Sequence, residues 1–80
     1  MVTINLKATG NRIKSLKEAS GLTTQDLMVT FGFNNPTAIY KWFRGDTIPT
    51  VDNLVILADL FNTTIDEIIV VDRDIISKAA

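Results

Sequence analysis

Eighty residues, 46% hydrophobic and 21% charged, suit one small folded domain rather than a disordered chain. With neither cysteine nor histidine, disulfides and thiolate chemistry are excluded and a zinc site is not expected. A formal net charge of −1 excludes a uniformly basic nucleic-acid binder, so any affinity for a polyanion must come from how the charge is distributed.

At the amino end, Val2, Ile4 and Leu6 alternate with Thr3, Asn5 and Lys7, the period of a half-buried strand. The opening MVTINLKATGNR has no apolar signal-peptide core, and no apolar run approaches the about 20 residues that span a bilayer. The cytoplasm is therefore the expected location. Thr9-Gly10-Asn11 reads as a break. A first helix is expected from about Asn11 to Ser20, with Ile13, Leu16 and Ala19 inward and Arg12, Lys14, Lys17 and Glu18 outward. Gly21 ends it and Leu22 returns to the core.

Thr23 to Gly45, TTQDLMVTFGFNNPTAIYKWFRG, reads as two short helices joined by a sharp turn. Thr23 and Asp26 form a capping-box pattern, and Leu27, Met28 and Phe31 recur at helical spacing. Gly32 falls where a left-handed residue must end that helix. Asn34 or Asn35 can cap the next one, and Pro36 fits its first position. Ile39, Trp42 and Phe43 follow at apolar spacing, while Thr37, Tyr40, Lys41 and Arg44 take the other faces. Gly45 to Thr50 is a loop ended by Pro49 and by Thr50 as an N-cap. A fourth helix from about Val51 turns Leu54, Leu57, Ala58 and Phe61 inward, with Val55 at the margin. Asn62 suits a left-handed helix end. Thr63 or Thr64 caps a fifth helix, with Thr64 and Glu67 as a second capping-box pattern and Ile65, Ile68 and Ile69 in the core. The β-branched run ending at Val71 can pair with the first strand, and Asp72 to Ala80 reads as a partly helical or frayed tail.

Charge divides along the chain. Residues 1–45 hold six Lys/Arg against two Asp/Glu, and residues 46–80 hold two against seven. A polyanion is drawn to the first part and repelled by the second, which would orient docking.

The pieces LTTQDL, FGF, AIYKWFRG and IPTVDNLVILADLFNTTIDEII resemble, in order and spacing, the helix-turn-helix of the phage repressor and Cro type, the XRE family. The resemblance spans about residues 10 to 70. It implies an all-α, five-helix lambda-repressor-like domain, one domain over residues 1–80 with the helix-turn-helix at 23–44. A short terminal strand pair, Val2–Leu6 with Ile69–Val71, is added to that frame from the alternation. Between Gly32 and Trp42 this chain is one residue longer than the commonest family pattern, and the extra residue falls in Asn34-Asn35-Pro36. Met28 stands where the family often has a small residue at the helix crossing. Asp46 stands where the family often has a cation near phosphate.

The resemblance places the helix after Pro36 in the major groove, with the preceding helix across the backbone. Candidate base contacts are Asn34, Asn35, Thr37, Ala38, Tyr40 and Lys41. Asparagine can pair with both groove-facing groups of adenine, and a threonine methyl can meet that of thymine. Candidate phosphate contacts are Arg12, Thr24, Gln25, Lys41, Arg44 and Thr47. Several have structural alternatives: Asn34 and Asn35 as turn and cap residues, Tyr40 packed over a neighbouring turn, and Arg44 bracing the loop after its helix. Trp42 reads as core. Phe43 either closes the base of the core or belongs to a dimer contact.

The expected function is sequence-specific binding of double-stranded DNA by a homodimer that regulates transcription, most simply as a repressor. The alternative is a protein-interaction module or antitoxin-like partner on the same fold. No catalytic residue, cofactor, metal, membrane or small-molecule ligand is expected. There is no phosphate-binding glycine loop, Asp66-Glu67 reads as helix-start charge, and eighty residues leave no room for a separate sensing domain.

Overall fold

The computed structural model describes residues 1–73. Strand β1 (Val2–Ile4) leads into α1 (Leu6–Ala19), α2 (Thr24–Phe31), α3 (Thr37–Arg44), α4 (Val51–Leu60), α5 (Ile65–Ile68) and strand β2 (Val71–Arg73). The five helices and their order match the expected all-α frame, and the two strands pair antiparallel. No described helix is long and apolar enough to cross a membrane.

Most helix boundaries follow from local chemistry. Thr23 accepts from the Asp26 N–H while the Asp26 carboxylate accepts from the Thr23 N–H, a complete capping box. Thr50 and Thr64 cap α4 and α5 through the N–H groups of Asn53 and Glu67. Gly32 and Gly45 end α2 and α3 in the left-handed region, and Asn62 adopts it at φ 54° after α4.

The amino end departs from the expected pattern. Asn5 caps α1 by accepting from Ala8 N–H, so Leu6 opens a helix rather than ending a strand. Thr9, Gly10 and Asn11 lie inside α1 instead of breaking the chain before it. Glycine belongs there because α3 comes too close for a side chain. A Cβ on Gly10 would lie 2.2 Å from the Trp42 carbonyl oxygen and 2.7 Å from that of Phe43. Ala19, expected inward, is exposed.

The strand pair is shifted by two residues from expectation. Val2 faces Arg73, Thr3 faces Asp72 and Ile4 faces Val71, with Ile69 and Val70 ahead of β2. Val70 continues the pairing only in part, because α1 takes its N–H. Its carbonyl accepts from Asn5 N–H at 2.8 Å, and its N–H donates to the buried Thr9 hydroxyl at 2.9 Å. Asp72 and Arg73 of the expected tail thus belong to β2, and the rest of that tail, 74–80, lies outside the described residues.

The core collects one face of every helix: Ile13, Leu27, Ile39, Trp42, Leu54, Leu57, Ala58, Phe61 and Ile68. All the buried side-chain polar atoms among the described residues have partners.

Candidate nucleic-acid interface

The turn between α2 and α3 is anchored at one end and open at the other. Phe33 N–H donates to the Met28 carbonyl behind left-handed Gly32, which folds the chain back on α2. The Phe33 ring stacks on Phe31 at 5.4 Å, and both rings meet Trp42 edge-on, at 6.0 and 5.4 Å. Asn34 and Asn35 are exposed beyond this cluster. Asn35 accepts from the Thr37 N–H in an Asx turn, but neither asparagine is the N-cap: Pro36 holds that position, immediately before the helix rather than at its first residue, and no side chain caps α3.

Helix α3 is divided sharply by burial. Ile39 and Trp42 are buried, Ala38 and Phe43 half-buried, and Thr37, Tyr40, Lys41 and Arg44 exposed. Residues three and four apart share a helix face, so these four form one continuous outward strip. Phe43 packs against the core cluster, with the Tyr40 ring at 6.3 Å and the Lys17 ammonium 6.0 Å from its ring centre. The close approach at Gly10 sets this helix firmly on α1, so its outer strip is carried on a rigid support.

The candidate cations are not equivalent. Lys41 is exposed and its ammonium has no polar partner among the described residues. Arg44 is bound to Asp46, through Nε and Nη2 at 2.9 Å each, as a brace for the loop after α3. Arg12 donates to the Glu67 carbonyl at the end of α5. Lys17 donates to the Leu22 carbonyl at 3.4 Å. Lys7 and Lys14 are exposed on α1. By the alternation Lys7 belongs to a strand, yet it lies in the first turn of α1 with its Cα against Gly45, beside the end of α3. The signal in the sequence that places it there is Asn5, a residue suited to an N-cap.

Around this strip, Thr24 is half-buried and Gln25 exposed in the first turn of α2, and Thr47 is exposed in the loop after α3. Thr37, Ala38, Tyr40 and Lys41 are thus brought together on one helix with Asn34 and Asn35 at its leading end. Arg12 is instead drawn to α5.

A helix-turn-helix family model matches residues 10–68, most of the chain. The chain belongs to the XRE-type helix-turn-helix family, whose members are DNA-binding transcription regulators. Its fold is similar to the crystal structure of the DNA-binding domain of BldD, with a TM-score of 0.66 at 21% sequence identity. That likeness covers 81% of this chain and 93% of the other. The comparison with curated proteins returns no significant match.

Proposed function

We propose that the chain reads double-stranded DNA in a sequence-specific manner, with α3 in the major groove, as a homodimer that represses transcription by occupying a promoter. The observation that carries this reading is the division of α3. Its inner face is held against α1 and the aromatic cluster, while the side chains of Thr37, Tyr40 and Lys41 point outward with their polar ends unused by the described residues. Such a helix presents fixed hydrogen-bonding groups at little entropic cost on docking. In this reading Asn34, Asn35, Thr37 and Tyr40 meet base edges, while Lys41, the amide end of α2 at Thr24 and Gln25, and Thr47 meet phosphate. Arg44 joins them only by exchanging Asp46 for phosphate. One copy offers few free cations, and two copies on half-sites about one helical turn apart multiply its affinity.

The test is selection from random duplex pools at low salt with the purified protein. Enrichment of a paired motif is the expected result, and binding indifferent to sequence would overturn the reading.

A second reading, a protein-interaction module, draws support from α4, whose outer face exposes Val51, Val55 and Ile56. Salt separates the two. Binding through several phosphates weakens steeply as salt rises, whereas an apolar contact does not.

A further inference from the structure

The terminal ribbon is an unusual part of this small fold. A lone two-stranded sheet is marginal in water, and this one exposes Val2, Ile4 and Val71 on a single face. Its two outer edges differ in chemistry. The β2 edge, Val-Asp-Arg, carries two charges, the usual guard against pairing with another chain. The β1 edge, Val-Thr-Ile, carries none.

Hydrogen-bond parity shows which groups β1 turns outward. Asn5 N–H donates to the Val70 carbonyl, one of the two bonds of a hydrogen-bonded pair, the Val70 N–H having turned to Thr9, and this fixes the parity of the ladder. Narrow and wide pairs alternate in an antiparallel ladder, so Thr3 and Asp72 form the next hydrogen-bonded pair. The N–H and C=O groups of Val2 and Ile4 therefore face away from β2.

From this we infer that β1 is the dimer interface, pairing antiparallel with β1 of a second copy about a two-fold axis at Thr3. The inference deepens the homodimeric reading above and rests on it. In that register Val2 lies opposite Ile4 of the second copy, and each pair uses its outward N–H and C=O groups in both directions. Thr3 faces Thr3 across the axis as a non-hydrogen-bonded pair. Both are favourable cross-strand combinations, and the arrangement is self-complementary, as a two-fold contact must be. The product is a four-stranded sheet, β2-β1-β1-β2, with Val2, Ile4 and Val71 of both copies joined on one face and Arg73, opposite Val2, at its outer corners. Its remaining edges are the charged ones. Pairing through β2 instead would set Asp72 against Asp72. Helix α4 is a weaker candidate, because Asp52 and Asp59 flank its apolar residues and an antiparallel two-fold contact would bring the Asp52 of one copy toward the Asp59 of the other.

Cross-linking tests the register directly. The chain has no cysteine, and non-hydrogen-bonded partners have Cα atoms about 4.5 Å apart, within disulfide reach. Oxidised Thr3→Cys should run as a covalent dimer that still binds DNA, while Lys14→Cys and Asp72→Cys should remain monomers. In sedimentation, Val2→Pro removes an outward N–H without touching the β1–β2 bonds. It should turn a dimer into a folded monomer and weaken binding to a two-half-site duplex roughly a hundredfold. A covalent dimer through Asp72→Cys, or a dimer that survives Val2→Pro but is lost in Val55→Glu, would overturn the inference in favour of the other edge or of α4. A wild-type chain monomeric both free and on DNA would also overturn it, leaving the β1 edge to residues 74–80 or to another protein. A Thr3-linked dimer without sequence preference for DNA would support the interface while removing the proposed function.

Discussion

Gly10 lies directly beneath Trp42: a Cβ added to it would come within 2.2 Å of the Trp42 carbonyl oxygen. This contact sets α3 on α1 and so fixes how far the outer strip of α3 projects from the domain. In an isolated helix, glycine to alanine would stabilise by about 0.5–1 kcal/mol. Here the neighbouring atoms are backbone and cannot turn aside. Gly10→Ala is therefore expected to destabilise by about 1–3 kcal/mol, as overpacked sites do, which lowers Tm by roughly 4–8 °C per kcal/mol. A raised Tm in thermal unfolding would refute the close approach.

Thr9 joins α1 to the segment entering β2 through the Val70 N–H. Thr9→Val keeps the shape and removes the acceptor, at a cost of about 1–3 kcal/mol for a stranded amide. Thr9→Ser keeps the hydroxyl and should retain most of the stability. Amide exchange at Val70 is the direct readout: it should accelerate in the valine variant and change little in the serine variant.

On DNA, residues of the α3 strip should separate by role. Lys41→Ala should weaken binding to all sequences alike and reduce the salt slope by about 0.9, as loss of one phosphate contact does. Thr37→Ala should leave the slope unchanged and relax preference at one base pair, by up to about 1–3 kcal/mol if the lost contact is a strong one. Titrations of matched and mismatched duplexes at several salt concentrations measure both effects.

Arg44 and Asp46 form an exposed ion pair, which contributes little to stability, about 0.2–1 kcal/mol. Asp46→Ala should leave Tm nearly unchanged while releasing Arg44 and removing a negative charge near the end of α3. Tighter DNA binding with a steeper salt slope is expected. Unchanged affinity would place Arg44 away from phosphate.

Much of this architecture is written in short windows of the chain. The Thr23–Asp26 capping box, the Thr50 and Thr64 caps and the left-handed Gly32, Gly45 and Asn62 are each decided by residues within about one turn of the helix they bound. The outward strip of α3 follows from helical period alone, and so does most of the core. Sequence therefore determined the helix-turn-helix and its candidate reading face.

Tertiary structure decided the places where distant groups compete for the same atoms. Gly10 reads locally as a breaker, and only the nearness of α3 makes it a helix residue. Val70 keeps half of a ladder pair through the Asn5 N–H, but Thr9, distant in sequence, takes the Val70 N–H, so β2 begins at Val71. Arg12 is an outward cation in the sequence, yet it is drawn to the Glu67 carbonyl 55 residues away. Propensity and period act over a few residues, whereas steric exclusion and hydrogen-bond competition depend on which surfaces folding brings together.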